Sequence, residues 1–277
     1  LLAKYVISYN YSLFLIDKNS KTIDYENNFI AFVPEFNDKM KTDYKIAIHD
    51  SLSFDKAYLT LLPQPFTKNL AQNATRIFSG TSFLNEKSTE KIFKNSAKEH
   101  KIIHIGTHAE SNNISPELSR LVFANSLDST NADDNFLYTY EIYNTNLASN
   151  LAILTACETG KPTYQAGEGM ISLAHAFNYA GSESILTSLW KIDEQSSAEI
   201  IALFYENIKK GWPKDKSLQQ AKLDYMATAK GRTINPQYWA GLVLIGDTSP
   251  ILLQNSYAFI YLLVALIAVG LLVVFVK

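Results

Sequence analysis

Residues 151–190 read LAILTACETGKPTYQAGEGMISLAHAFNYAGSESILTSLW. LAILTA (151–156) is a short apolar run of strand length. GEGMISLAHAFNYAG (167–181) spaces Met170, Leu173, Ala174 and Phe177 along one helical face and ends in glycine. SILTSLW (184–190) is a second apolar strand. Strand, helix and strand in this order, with strands that do not alternate with polar residues, predict a crossover unit of parallel strands buried on both faces.

The pattern extends in both directions. KIIHIG (101–106) is another apolar run closed by glycine, and LVF (121–123) follows a polar stretch. Asn125 to Asn135 reads as a loop and Tyr138 to Asn146 as a helix. Asp193 to Lys210 predicts a helix with Ile200, Leu203, Phe204 and Ile208 inward. Ser217 to Lys230 predicts another, and WAGLVLIG (239–246) the last strand. Upstream, Lys4 to Asp17, Thr22 to Pro34 and Tyr44 to His49 read as strands rich in aromatic and β-branched residues. Phe66 to Phe78 reads as a helix closed by Gly80. Phe83 and Leu84 form a very short strand, and Thr89 to Lys98 a helix with Ile92, Phe93 and Ala97 on one face.

Composition narrows the function. The chain has 277 residues, 47% hydrophobic and 19% charged, enough for a sizeable core. With 25 Lys+Arg against 27 Asp+Glu and no run of like charge, it offers no nucleic-acid surface. A single cysteine excludes an internal disulfide, fits a reducing compartment and leaves one free thiol to explain. The chain begins at Leu1 rather than Met, which leaves room for an upstream sensor.

Sites in parallel sheets lie at the carboxyl ends of the strands. His108 lies just past the 101–106 strand and Cys157 just past the 151–156 strand. If those strands are neighbours, the two residues meet at one edge. A cysteine peptidase needs a thiolate, an imidazole that takes the thiol proton and donors for the oxyanion. The competing reading is that Cys157 is core, since free Cys is among the most buried residue types. His104 reads as a packing residue inside its strand. His175 reads as structural within its helix, and His49 and His100 have no context. With one Cys and no HExxH, a zinc site is not expected. Gly167-Glu168-Gly169 before a helix raises a nucleotide-binding reading, but it lacks a third glycine and a following GKS/T.

KIIHIGTHAE (101–110), LAILTACETG (151–160), GEGMISLAHAFNYAGSESILTSLW (167–190) and PQYWAGLVLIGD (236–247) together resemble the CHAT domain, a family of caspase-like cysteine peptidases. The resemblance runs from about Tyr5 to Asp247. It implies an α/β caspase-like three-layer sandwich with a mostly parallel central sheet, in a peptidase domain at 1–247. His108 matches the family's catalytic histidine and Cys157 its nucleophile. His108 precedes Cys157 by about 50 residues, a separation that caspases also keep. The backbone N–H groups of Ala109 and Cys157 are the implied oxyanion donors. The family usually has glycine where Ala109 stands. In SLWKIDEQSSA, relatives often carry Asp-Asp where this chain has Asp193-Glu194. With Trp190 these are candidates for the substrate pocket, and a carboxylate there favours a basic P1 residue. Asp193 equally suits an N-cap of the following helix. No cofactor or metal is implied. The segments Glu110 to Glu117 and 125–135 are candidates for loops that order on activation.

The family implies a regulated endopeptidase in bacterial defence or regulated cell death. Its partners would be a protein substrate, such as a pore-former or effector, and an upstream sensor or activator protein. The alternative is a catalytically silent CHAT-type module that only binds partners. After a linker at 248–256, residues 257–276, YAFIYLLVALIAVGLLVVFV, carry no charge over about 20 positions, enough to cross a bilayer. Tyr257 and Tyr261 flank one end and Lys277 the other. This predicts a single-pass transmembrane helix. The free cysteine places the catalytic domain in the cytoplasm, although the positive-inside rule alone would put Lys277 there.

Overall fold

The computed structural model describes residues 1–11, 23–47, 56–112, 114–125, 134–155, 157–158 and 168–254. In chain order the elements are β1 (Asn27–Val33), α1 (Asp38–Ala47), α2 (Lys56–Thr60), α3 (Pro65–Phe78), β2 (Thr81–Leu84), α4 (Glu90–Ser96), β3 (His100–Ile105), β4 (His108–Glu110), β5 (Arg120–Val122), β6 (Phe136–Tyr138), α5 (Thr139–Tyr143), β7 (Leu151–Leu154), β8 (Cys157–Glu158), α6 (Glu168–Tyr179), β9 (Ser184–Ser188), α7 (Glu194–Lys209), α8 (Lys214–Thr228) and β10 (Leu242–Gly246).

Six strands form the central sheet in the order β10-β9-β7-β3-β1-β2, all parallel except β10. Side chains alternate between its faces. Phe29, Ala31 and Val33 of β1, with Ile102, Leu151, Ile153 and Leu186, pack under α3, α7 and α8. Ile30 and Phe32, with Ile103, Ile105, Ala152 and Leu154, pack under α4 and α6. The strands are apolar on both faces because helices cover both. Each fully buried Ile, Leu, Val or Phe contributes about 1.5–3 kcal/mol.

A second sheet, β6-β5-β4-β8, grows from the carboxyl edge of the first. Strand β3 runs through Gly106 and Thr107 into β4, and β7 leaves the sheet at Thr155, two residues before β8 begins. Gly106 allows this exit: its N–H bonds the Phe32 carbonyl at 2.9 Å. A Cβ there would collide with Thr67 Cγ2 and come within 3.0 Å of Val33 Cγ2.

The opposite, amino-terminal edge is closed by the stretch after β10. Asp247 N–H bonds the Glu183 carbonyl before β9. Lys214 Nζ bridges Asp247 and the Asn150 carbonyl before β7. Lys101 Nζ in β3 holds the Leu252 carbonyl and Asp24. Asn28 in β1 exchanges hydrogen bonds with Gln254. Residues 247–254 thus cross beneath β9, β7, β3 and β1 in turn.

Two expected strands are corrected. Tyr44 to Ala47 belongs to α1, with Tyr44 buried and Ile46 70% exposed; residues 48–49 of that expected strand lie outside the described residues. Lys4 to Tyr11 is irregular and joins the sheet only through a bridge from Tyr9 to Ile245; the rest of that expected strand also lies outside the described residues. The last strand begins at Leu242 rather than Trp239, and runs antiparallel. Residues 257–276 lie outside the described residues. Among the described residues, no helix is long and apolar enough to cross a membrane.

Gly106→Ala should lower the unfolding free energy by about 1–3 kcal/mol, the usual cost of overpacking, in a urea titration. A variant as stable as wild type would show that the β3 exit has room that this packing does not give it.

Candidate active site

The pairing of β3 with β7 sets the site. Ile102 lies opposite Leu151 and Ile105 opposite Leu154. The same offset continues in the second sheet, where His108 lies opposite Cys157 and Ala109 opposite Glu158. The two chain exits are equal in length, so the parallel register survives the step from one sheet to the other. His108 and Cys157 therefore occupy register positions side by side on strands about 5 Å apart.

His108 is 4% exposed. Its Nε2 lies 2.8 Å from the Leu62 carbonyl oxygen. A carbonyl only accepts, so Nε2 carries the proton and the neutral ring has its lone pair on Nδ1. Nδ1 is buried and has no hydrogen-bond partner among the described residues. Phe36 packs against the ring at 5.2 Å between centroids. Burial pushes the His108 pKa down, the Leu62 carbonyl opposes this, and the Lys191 and Lys41 cations lower it further. The ring is thus a neutral base at neutral pH. The Leu62 contact was not legible in the sequence, because any residue supplies a carbonyl. Leu62 opens the stretch LPQP (62–65), whose two prolines interrupt the chain where α3 begins.

A cavity of about 600 Å³ opens at His108. One wall is Leu62, Pro63 and Gln64, just before α3, and another is Trp190 to Glu194, just before α7. The sequence candidates Trp190, Asp193 and Glu194 thus come together with His108. Each also has a structural role. Asp193 Oδ2 caps α7 by accepting from Ser196 N and Oγ, both at 3.0 Å. Glu194 Oε1 accepts from Thr67 N at 2.9 Å in the first turn of α3. Burial raises the Glu194 pKa, the Thr67 and Phe66 amides pull it back, and Asp193 adds to the rise. Trp190 Nε1 donates to the Gln237 carbonyl at 3.0 Å.

His104 sits four residues before His108, fully buried beneath α7. Its Nδ1 accepts from Tyr205 Oη at 2.8 Å, and Nε2 lies 3.0 Å from Thr155 Oγ1. Thr155 in turn donates to the Ile105 carbonyl. The ring tethers α7 to the exits of β3 and β7 and keeps clear of the cavity. Burial lowers its pKa to about 3. His175 bonds Tyr143 Oη on the outer side of α6, and His100 bonds the Lys98 carbonyl. His49 and Gly167 lie outside the described residues. In the described part of Glu110 to Glu117, Arg120 pairs with Glu110, and Asn112 Oδ1 accepts from Ile114 N and Ser115 N; residue 113 lies outside the described residues. Most of 125–135 lies outside the described residues. Among the described residues, no group of three or more His, Cys, Asp and Glu is placed to hold a metal.

These features define an α/β domain with a parallel sheet and a neutral, buried imidazole at its carboxyl edge, beside a cysteine position. The chain belongs to the CHAT domain family, whose model matches residues 1–247. It is 26% identical over 107 residues to mouse (Mus musculus) Tetratricopeptide repeat protein 28 and 28% identical over 107 residues to the human (Homo sapiens) protein. Each match covers 39% of this chain and 4% of the relative, so the chain spans a small fraction of their length. Among solved structures it is similar to the Arg-specific cysteine proteinase gingipain R, with a TM-score of 0.46 and 10% identity over 82% of this chain and 48% of that one. It is also similar to the Saccharomyces cerevisiae separase–securin complex, with a TM-score of 0.45 and 12% identity over 84% of this chain and 12% of that one. At these TM-scores the two likenesses carry no weight for function.

The folded pKa of His104 lies far below its ordinary value. Between about 6.5 and 3 the unfolded chain binds this proton and the folded chain does not. Stability from this group is complete above about pH 6.5 and is lost as pH falls through that window, at up to about 1.4 kcal/mol per pH unit. His104→Gln should flatten this part of the stability–pH curve relative to wild type in urea titrations at stepped pH. Parallel curves would place the ring in contact with water.

Proposed function

We propose that this chain is a caspase-like cysteine endopeptidase that cleaves a specific partner protein, with His108 as base and Cys157 as nucleophile. The observation that carries this reading is the register of His108 against Cys157, with a buried Nδ1 that has no partner among the described residues, on a ring that lines a cavity. Nδ1 takes the thiol proton, and the thiolate attacks the scissile carbonyl carbon. The imidazolium returns its proton to the leaving amine as the C–N bond breaks. Water then hydrolyses the thioester, with Nδ1 again accepting a proton. The Leu62 carbonyl holds the ring in the tautomer this requires and supports the imidazolium. Of the implied oxyanion donors, the N–H of Cys157 suits the role better. Ala109 is buried between β5 and β8, where a strand N–H is directed at a neighbouring strand.

Trp190, Asp193 and Glu194 form the P1 pocket in this reading. Capping occupies Oδ2 of Asp193, and its Oδ1 is the atom that would meet a basic P1 side chain. The family resemblance supports a role in bacterial defence or regulated cell death, with an upstream activator and a pore-forming or effector substrate.

Residues 257–276 anchor the chain in a membrane in this reading, with the peptidase domain in the cytoplasm. Because residues 247–254 run along the amino-terminal edge of the sheet, an anchor that follows Gln254 leaves from the edge opposite His108. In this reading the site is set away from the bilayer, and the substrate approaches from the aqueous side.

The full chain in nanodiscs, its Cys157→Ala and His108→Ala variants, and a proteome-derived peptide library test the chemistry. Wild type should cut, and each variant should lose at least about 10³-fold in kcat/KM; cleavage by Cys157→Ala, or none by wild type in the presence of its genetic neighbours, would overturn the assignment. Asp193→Asn should lower the preference for basic over neutral P1 residues while neutral-P1 cleavage persists. The lone thiol also reports orientation: a fluorophore on Cys157 should escape quenching by nitroxide-labelled lipid, and strong quenching would place the site at the membrane.

A further inference from the structure

A second cavity, of about 460 Å³, lies between α8, the start of β10 and the irregular segment at residues 1–9. Leu2, Ile7, Leu218, Met226, Trp239 and Leu242 are among the residues that make its wall apolar. Its one charged side chain is Lys222, which is 7% exposed. Lys222 Nζ donates to the Leu242 carbonyl, and no carboxylate lies within ion-pair distance among the described residues.

The other buried lysines behave differently. Lys101 and Lys214 are each 1% exposed, and each has a carboxylate partner, Asp24 at 2.9 Å and Asp247 at 3.0 Å. Their ammonium groups brace the amino-terminal edge of the sheet. Lys222 braces nothing comparable. A buried ammonium without a counter-ion is costly, and burial lowers its pKa to about 8. An anion arriving from outside would remove that cost, and the wall, mostly apolar apart from Tyr9 and Gln219, favours an apolar body behind it.

We propose that the Lys222 cavity binds a single-chain amphiphile with an acid head group, its carboxylate on Lys222 Nζ and its chain against Leu218, Met226 and Trp239. The site lies back to back with the His108 cavity. Gln237 and Tyr238 line the His108 cavity, while Trp239, Ala240 and Leu242 line this one. Gly241 between them is pressed against Trp190, where a Cβ would come within 2.6 Å of Trp190 Cε2. A ligand that shifts Trp239 and Ala240 therefore shifts the segment that holds Trp190 through the Gln237 carbonyl. Occupancy changes the shape of the cavity at His108. Binding does not depend on the peptidase reading; the consequence for cleavage does.

The test uses the full chain in nanodiscs and dodecanoate carrying ¹³C at its carboxyl carbon. Wild type should show saturable one-site binding above the background of empty nanodiscs. Dodecanol, with the same chain and no charge, should bind at least about tenfold more weakly by competition. Dodecanoate affinity should fall as pH rises past 8, up to about tenfold per pH unit, because the amine loses the proton that the carboxylate pairs with. Lys222→Met should lose the bound signal. Equal binding of dodecanol, a pH-independent affinity or an unchanged signal in Lys222→Met would overturn the site, and the first two need no variant. The rate of iodoacetamide alkylation at Cys157 should change on saturation with dodecanoate, whether or not the chain cleaves any substrate. A constant rate would overturn the link between the cavities.

Discussion

The structure depends on one register. Strands β3 and β7 pair in parallel, and the same offset persists after both strands leave the central sheet. Had either exit been one residue longer, His108 would face Glu158 or the residue before Cys157, and every side chain on that strand would change faces. Gly106 on one exit and Thr155 on the other keep the steps equal. The first lets β3 pass close to Val33 and Thr67, and the second is held to the Ile105 carbonyl and to His104. The spacing between His108 and Cys157 in the sequence is therefore a pairing offset. It belongs to the sheet before it belongs to any chemistry.

The two edges of the sheet divide the work. At the amino-terminal edge, Lys101, Lys214 and Asn28 tie residues 247–254 to β3, β7 and β1, and the Asp247 N–H ties them to β9, while Asn150 Oδ1 stays buried without a partner among the described residues. At the carboxyl edge, polar atoms are left with work to do. His108 Nδ1 is buried without a partner among the described residues, a state that costs about 1–3 kcal/mol for an ordinary polar group. The His108 ring lines a cavity, and a proton donor held there would remove that cost.

The parallel core was legible because strands covered on both faces read as unbroken apolar runs, as in LAILTA and KIIHIG. The helices beside them carried a 3.6-residue period, and β10 differed in where it starts and in its direction, which composition does not encode. The failures have physical causes too. YKIAIH at 44–49 alternates like a strand, but Tyr44 to Ala47 forms the last turn of α1, where Ile46 is exposed and Tyr44 is buried. The aromatic residues at 5–11 mimic a strand while making one bridge to β10. At the site, side chains and two oxyanion N–H groups could be nominated from the sequence, but a carbonyl that orients a ring could not. His108, Trp190, Asp193 and Glu194 were visible as residue types. The Leu62 carbonyl, which decides the tautomer of His108, was invisible.

Asp193 and Glu194 show why nomination is not assignment. An acidic pair before a helix can cap it or recognise a cationic substrate, and sequence offers no way to choose. In the fold the pair does its capping in two directions: Asp193 closes the start of α7, and Glu194 reaches across to the first turn of α3. Together they lock the two helix starts that flank the His108 cavity. A carboxylate committed in this way keeps its position whether or not a substrate is present. Any recognition it adds is therefore preorganised, and costs little further ordering when a substrate enters.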